Sequence, residues 1–276
     1  MKKSIFKFLP FALLALTFTS CEDEEGGGSG TGDSEQKIAG WIIDTEAIAS
    51  SVYNAVDQLQ RDSTLSDGDT IMFQGAMASL IGNVYTLDYG TGVVDNSGVT
   101  RKGSITVTEN GDYFSQGGLL SLAFNSFTVD DKTVGGSISV SNLGNDTLSM
   151  VISSLDYDNL LTYNADKKVK WISGFATTKD ATDDKFNLTG TASGMENGTN
   201  NKIDIDFTSP MNFDRTCQYT VTEGILDLTF SGDSLTTFDG GMVDFISADG
   251  CNNQLVLTVT SSGGASVTLP RTFNGF

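Results

Sequence analysis

Period-two alternation governs most of this chain. From Thr70 onward, runs such as Ile105/Val107, Ile138/Val140, Leu148/Met150/Ile152, Phe186/Leu188, Ile203/Ile205/Phe207, Leu226/Leu228/Phe230 and Leu255/Leu257/Val259 put apolar side chains at every second position, with Thr or Ser in many of the gaps. In an extended strand successive side chains point to opposite faces, so each run buries one face and wets the other, as antiparallel sheets do. Turn-forming residues separate the runs: Asn110-Gly111, Gly144-Asn145-Asp146, Glu223-Gly224, Gly232-Asp233 and Gly263-Gly264. Asn110-Gly111 is the strongest of these, since a two-residue hairpin needs residues that tolerate positive φ. The count comes to roughly a dozen strands or more, at the spacing of a sandwich or barrel. No helical stretch interrupts them, which argues against parallel βαβ units. The expected fold is all-β: an antiparallel β-sandwich or flattened barrel built from a long meander.

One segment has a different period. In DTEAIASSVYNAVDQLQRDS, Ile48, Val52, Val56 and Leu59 recur at helical spacing and predict one short N-terminal helix near residues 44–61. Asp44 or Thr45 can cap its start, and Glu46 suits the positive end of the helix dipole. Asp57 and Arg61, four residues apart, are expected on its solvent face. The helix should stop near Arg61, before the polar loop DSTLSDGD. Helix and strands together make a single β-rich domain over residues 38–276.

The N-terminus reads as an address. Met1 to Lys7 carries three lysines and no acid, LPFALLALTF follows, and the small residues Thr19-Ser20 directly precede Cys21. A positive start, a short apolar core and a small-residue cleavage site make a signal peptide. Its apolar run is about ten residues, too short for the roughly twenty that cross a bilayer as a helix. Small residues followed at once by cysteine make residues 1–20 a lipoprotein signal peptide, with Cys21 as the lipidated mature N-terminus. Stable anchoring takes more than one lipid chain. Residues 21–37 then form an acidic, Gly/Ser-rich tether with no apolar residue to bury until Ile38.

Charge narrows the function. The chain has 16 basic and 35 acidic residues; removing Lys2, Lys3 and Lys7 with the signal leaves 13 against 35, a net of −22. Such a surface repels nucleic acid and anionic lipid headgroups, so the only membrane partner expected is reached through the N-terminal lipid. Histidine is absent, which excludes Ser-His-Asp and Cys-His catalysis and His-ligated zinc or haem. With Cys21 assigned to lipid, Cys217 and Cys251 remain in an oxidising, exported setting, as a disulfide or as two buried thiols. The disulfide is the expectation. Both cysteines share strand parity with apolar neighbours (Cys217 with Tyr219 and Val221, Cys251 with Leu255 and Leu257) and should lean toward the buried face.

Carboxylates are the only acid–base groups in quantity. Asp204 and Asp206 flank Ile205 on one strand face and are the first suspects for a glycosidase pair, although two acids on a wet face are commonly only that. Asp130/Asp131, Asp156/Asp158 and Asp183/Asp184 read as loop acids. Calcium is the one cation the composition favours, yet no EF-hand spacing is present, and Asp95-Asn96-Ser97-Gly98 and Asp249-Gly250-Cys251-Asn252-Asn253 read as turns; no cofactor is assigned. Trp171 shares parity with Val169 and Phe175 and is expected in the core. Tyr85, Tyr89, Tyr113 and Tyr157 lie near strand ends, where a glycan platform would sit, but packing is their expected role.

From about Tyr85 onward the chain resembles a family of surface lipoproteins of the Bacteroidota. The resemblance rests on Asp88-Tyr89-Gly90-Thr91-Gly92, Arg101-Lys102-Gly103, Asp183-Asp184-Lys185-Phe186, Leu188-Thr189-Gly190-Thr191-Ala192-Ser193-Gly194, Cys217, and Asp244-Phe245 with Cys251-Asn252-Asn253. The four acids after Cys21 also resemble that group's surface-export signal. Val93-Val94 and Ile246-Ser247-Ala248 depart from the pattern, where relatives carry a cysteine and glycines. The resemblance implies an all-β fold and an outer-membrane, lipid-anchored location facing outward, and it implies no activity. The expected function is a non-catalytic binding or structural module of the cell envelope, with a glycan or a protein as its ligand. The alternative is a carboxylate-dependent glycan hydrolase.

Overall fold

Alternation produces one long antiparallel meander. A computed structural model of the chain describes residues 33–95, 98–174, 177, 180–217, 221–245, 251 and 253–272. Cys21, the signal segment, most of the tether, Phe175, Tyr219 and the turn residues Asn96-Ser97, Asp249-Gly250 and Asn252 lie outside the described residues, as does Ile246-Ser247-Ala248. A helix, α1 (Asp33–Arg61), comes first. Then follow β1 (Thr70–Phe73), β2 (Ala76–Ile81), β3 (Val84–Asp88), β4 (Val93–Val94), β5 (Thr100–Asn110), β6 (Leu119–Val129), β7 (Lys132–Gly144) and β8 (Thr147–Tyr157). The second half holds β9 (Leu161–Ser173), a 3-10 turn (Ala181–Asp183), β10 (Lys185–Glu196), β11 (Lys202–Asp214), β12 (Val221–Ser231), β13 (Gly240–Phe245), β14 (Gln254–Thr260) and β15 (Ser266–Thr272). Each strand pairs with the next, except that β4 is a side branch on β5 and β3 pairs β5 directly. The sheet is open, with β1 and β15 at its two ends.

The helix is much longer than the sequence suggests. It begins at Asp33, not near Asp44, and runs for 29 residues, about 43 Å at 1.5 Å per residue. The reason is visible in Ile38, Ile42 and Ile43, which carry the apolar stripe backward and are 1 %, 0 % and 4 % exposed. Gly40 interrupts that stripe and weakens its helical reading; in the fold the guanidinium of Arg271 on β15 packs against this position. Asp33 and Glu35 sit in the first turn, where acids favour the helix dipole. Glu35 also accepts the backbone N–H groups of Thr237 and Phe238, at 2.8 and 3.1 Å.

Nor does the helix have the broad solvent face its period implies. Gln58 meets Gln74 of the β1–β2 turn, Ser51 meets Arg101 of β5, Glu46 meets Lys167 of β9 and Gly40 meets β15. The sheet therefore curls around α1 and covers it from several sides. Ile105, Leu120, Ile138, Ile152, Ile203, Leu226 and Leu257, from seven strands, share one buried core with the apolar residues of α1; full burial of one such side chain stabilises by roughly 1.5–3 kcal/mol.

Curvature comes from a repeated kink. A Cβ at Gly103 of β5 would lie 2.1 Å from the carbonyl oxygen of Ser126 on β6, and one at Gly136 of β7 would lie 2.2 Å from that of Ser154 on β8. Ser126 and Ser154 have φ of 49° and 48°, and the register shifts at both places. These are β-bulges, which bend a strand and deepen its twist. They also switch parity: Leu120 and Leu122 point inward before Ser126, Phe127 and Val129 after it.

Candidate functional site

At the C-terminal end of α1 the interior is charged. Asp57 and Arg61, expected on a solvent face, are instead buried, with side chains 1 % and 3 % exposed. Arg61 grips Asp57 through Nε at 3.0 Å and Nη2 at 3.2 Å, as an i, i+4 pair in the last turn, where a cation also suits the helix dipole. Arg61 Nη2 lies 3.2 Å from Asp184. Arg215, in the turn after β11, reaches Asp57 at 2.6 Å and Asp184 at 3.5 Å with the same Nη1, and Asn54 at 2.9 Å with Nη2. Asp184 is thus not the solvated loop acid its sequence position suggests: it has no accessible surface. Gly174 makes room for it, because at φ +97° a Cβ there would fall 2.1 Å from Asp184 Oδ1.

Aromatic rings enclose this quartet. Tyr113 donates its hydroxyl hydrogen to Asp57 Oδ1 at 2.8 Å and lies 3.4 Å from the Tyr53 hydroxyl. Trp171 donates Nε1–H to Asp184 Oδ1 at 3.1 Å and stacks on Phe186. The Arg61 guanidinium lies over Trp171 at 4.9 Å and over Phe114 at 5.4 Å, and that of Arg215 over Phe186 at 4.9 Å, distances at which cation–π attraction operates. Trp171 is half-buried, packed against the core as its parity predicts.

The two carboxyls are tuned in opposite directions. Burial pushes Asp57 up, but Arg215 and then Arg61 outweigh it and hold the carboxyl below the usual range. Burial dominates at Asp184; Arg61 and Arg215 oppose it without cancelling it, and the carboxyl is pushed up to about 6. Burial and the neighbouring Asp57 charge keep the Tyr113 hydroxyl protonated well above its ordinary range.

A cavity of about 170 Å³ opens beside the quartet. Asp57, Arg61 and Trp171 form part of its lining, and Phe114, Gln116 and Asn145 are exposed residues lining it. Two connections build the mouth. The β7–β8 turn is tight, with Asn145 and Asp146 at φ 51° and 55°. The β5–β6 connection is the opposite of the sequence expectation: Asn110-Gly111 is not a two-residue hairpin, since β5 ends at Asn110 and β6 starts at Leu119. The intervening loop is held by Asp112, which accepts from the backbone of Phe114 and the hydroxyl of Ser115, and by Asn142, which donates to the Tyr113 carbonyl at 3.0 Å. That loop carries Tyr113, Phe114 and Gln116 to the site.

The disulfide braces the same end. Cys217 and Cys251 are bonded, with Cα atoms 5.1 Å apart, and Cys217 lies two residues after Arg215. Cys217 is buried as expected; Cys251 is exposed, because it sits in a connection outside β14 and strand parity does not extend to it. The backbone N–H of Arg215 donates to the Asp184 carbonyl at 3.0 Å, so turn, disulfide and quartet form one unit.

The acids singled out in the sequence lie elsewhere. Asp204 and Asp206 are on the outer face of β11, lining a shallow open depression with Asp166. Asp206 stands directly opposite Asp227 of β12, and Lys202 pairs with Asp204 at 2.7 Å. Tyr89 and Tyr157 are buried and Tyr85 is half-buried against the core, which makes them packing residues; Tyr113 is buried too, but it lines the cavity and bonds Asp57. Among the described residues no three acids or cysteines are grouped so as to hold a metal ion. One signal pointed to the quartet: the chain has only four arginines, Arg61, Arg101, Arg215 and Arg271, and guanidinium is the cation suited to buried bidentate pairing. Comparison with protein families, with curated proteins and with solved structures finds no match.

Proposed function

We propose that the protein is a lipid-anchored, outward-facing lipoprotein of the outer membrane that acts as a non-catalytic binding module, with the cavity at the end of α1 as its binding site. The observation that carries this reading is the state of the acids beside the cavity. Both oxygens of Asp57 are engaged, by Arg61, Arg215 and Tyr113, and Asp184 is sealed behind it. A general acid or base must reach the proton it moves; these acids hold arginines instead. The anchor rests on the tripartite signal and Cys21, and on a mature chain whose charge offers no other affinity for a membrane. Among the described residues no helix is long and apolar enough to cross one. Mass spectrometry of the mature N-terminus is expected to show diacylglycerol on Cys21, and protease treatment of intact cells to digest the domain. A free Cys21 thiol, or Cys21→Ser remaining on the membrane, overturns the anchor.

A hydrolase is the second reading, and one observation favours it. Asp57 and Asp184 reach the same Arg215 nitrogen at 2.6 and 3.5 Å, so their oxygens lie within about 6 Å, compatible with the roughly 5–5.5 Å of retaining glycosidases. One carboxyl is held low and the other raised, as an acid–nucleophile pair requires. Glycan turnover abolished by Asp184→Asn would establish this reading; its absence on a panel of glycans supports the binding module.

A further inference from the structure

We infer that the cavity at the C-terminal end of α1 is a sugar-ring site, which takes one neutral pyranose unit with Phe114 as its apolar platform. The inference rests on the binding-module reading and names its ligand class.

Size sets the first limit. At about 170 Å³ the cavity holds the liquid volume of roughly five or six waters, at about 30 Å³ each. Pockets for drug-sized ligands run from about 300 Å³ upward. A single ring fits, and a longer glycan would leave its other units outside.

Charge sets the second. An anion would meet Asp57 and Asp146 in the lining on a chain whose net charge is already −19, while the one lining guanidinium, Arg61, is committed to Asp57 and Asp184. A cation would need a carboxylate to itself, but Asp57 is shared between two arginines and Asp146 is paired with Lys170 at 3.8 Å. The quartet neutralises itself, which leaves a neutral ligand.

Surface chemistry sets the third. Phe114 is 42 % exposed, yet it is fixed: Tyr113 packs edge-on against it at 4.9 Å and Arg61 lies over its ring. An exposed aromatic held rigidly gives contact area at little entropic cost on binding. Gln116, Asn142 and Asn145 line the same cavity. Asn142 is held by the Tyr113 carbonyl and the Gly144 N–H and Gln116 donates to the Leu143 carbonyl, so the polar groups on offer are the Gln116 side-chain oxygen and the exposed Asn145 amide. A pyranose matches this pairing, with one C–H face for the ring and equatorial hydroxyls for the amides. A wholly apolar ligand would desolvate the Gln116 oxygen and the Asn145 amide without pairing them.

The test uses the full mature chain in detergent. Methyl glycosides of glucose, galactose, mannose and N-acetylglucosamine are titrated by saturation-transfer NMR and by tryptophan fluorescence, beside methyl glucuronoside and methyl glucosaminide as charged counterparts. At least one neutral glycoside should bind saturably and perturb Trp171. Phe114→Ala should weaken it at least tenfold, with the circular dichroism unchanged because the ring is exposed; Met195→Ala, an exposed residue at the far end of β10, should not. The inference is overturned if no neutral glycoside binds, if only a charged one binds, or if Phe114→Ala binds as well as the parent. Release of methanol from a bound glycoside would keep the sugar site and sink the non-catalytic reading, whereas absence of binding removes the sugar class and leaves the module to its own localisation tests.

Discussion

The middle of α1 and its C-terminal end are both fastened to the sheet by buried charge, but by different constructions. In the middle, Glu46 meets Lys167 of β9 and the Tyr163 hydroxyl, each only 0–1 % exposed. This is a closed pair, buried and outside the lining of the cavity. At the end, two acids share two arginines, three rings stack on the guanidinia, a disulfide braces the turn that carries Arg215, and a cavity adjoins. One pair satisfies itself and can do little besides hold the helix in register. The quartet is redundant, so each group keeps a partner when another shifts, and its rings extend to solvent at Phe114. The contrast separates a fastening from a site by physical criteria: redundancy of partners, and free volume next to them.

Breaking the closed pair should have the largest effect. Glu46→Ala leaves the Lys167 ammonium without its carboxylate, between the Tyr163 and Phe207 rings, and losing one partner of a buried pair costs about 3–5 kcal/mol. Urea unfolding should show that loss, a large share of the ~5–15 kcal/mol of a typical domain. The double replacement Glu46→Leu with Lys167→Met removes both charges and should recover most of it. If the single variant loses under about 1 kcal/mol, the middle is not a closed pair and the contrast fails.

The disulfide comes next. Its bond closes a loop of sequence separation 34, for which the chain-entropy account gives roughly 3–4 kcal/mol. Replacing Cys217 and Cys251 together by Ser should lower the urea midpoint accordingly. Because Cys217 lies in the turn that presents Arg215, Trp171 fluorescence in the still-folded variant should also change, while an amide exchange measurement around Lys167 should not. Equal loosening at both places would show that the two ends of the comparison are one cooperative unit.

Arg61→Ala should cost less than Glu46→Ala despite removing more hydrogen bonds. Asp57 keeps Arg215 and Tyr113, so the loss is that of charge-assisted hydrogen bonds, about 1.5–3 kcal/mol, and not of an orphaned ion. A loss exceeding that of Glu46→Ala would mean the quartet has no redundancy.

These contrasts also mark what was legible in the sequence. Alternation in β5 to β14 gave strands, faces and antiparallel order, because period two is a local property. The meander and the N-terminal helix followed, and so did the Cys217–Cys251 bond. The length of α1 did not, because Gly40 and the polar residues 33–37 mask the stripe through Ile38 and Ile42, and only the enclosing sheet compensates. The burial of Asp57 and Arg61 did not either: a helical wheel assumes one wet face, and here the wrapped sheet removes it. The site fell where local rules misled most. Asn110-Gly111 looks like a hairpin but opens the loop that carries Tyr113 and Phe114, and Asp184 looks like a surface acid because its two arginine partners lie more than thirty residues away, one in each direction. Residue types were readable; convergence was not, because it depends on bulges that reset strand parity.

The finest distinction between the two constructions is a titration. In the quartet Asp184 has its carboxyl raised from 3.8 to about 6, so between those values the folded protein holds a proton the unfolded chain has released. Stability from this group therefore grows as pH falls from about 6 to about 4, and is lost as pH rises through about 6. Asp57, held below 3.8, has the opposite sign: its contribution is present above pH 3.8 and is lost only as pH falls further. The two windows do not overlap, so near pH 4 the cluster should be at its tightest. Trp171 reports the event directly, since its indole N–H donates to the titrating carboxyl, and with two tryptophans in the chain a Trp41→Phe background isolates it. Its fluorescence should titrate with a midpoint near 6, and Asp184→Asn should abolish that transition. The same substitution replaces a carboxylate that burial already disfavours, and the amide oxygen can still accept from Trp171. Its cost at pH 7 should stay within about 1 kcal/mol, the smallest in the series. A midpoint below 4, or a cost matching that of Glu46→Ala, would make the quartet a second closed fastening and remove the physical ground for setting the end of α1 apart from its middle.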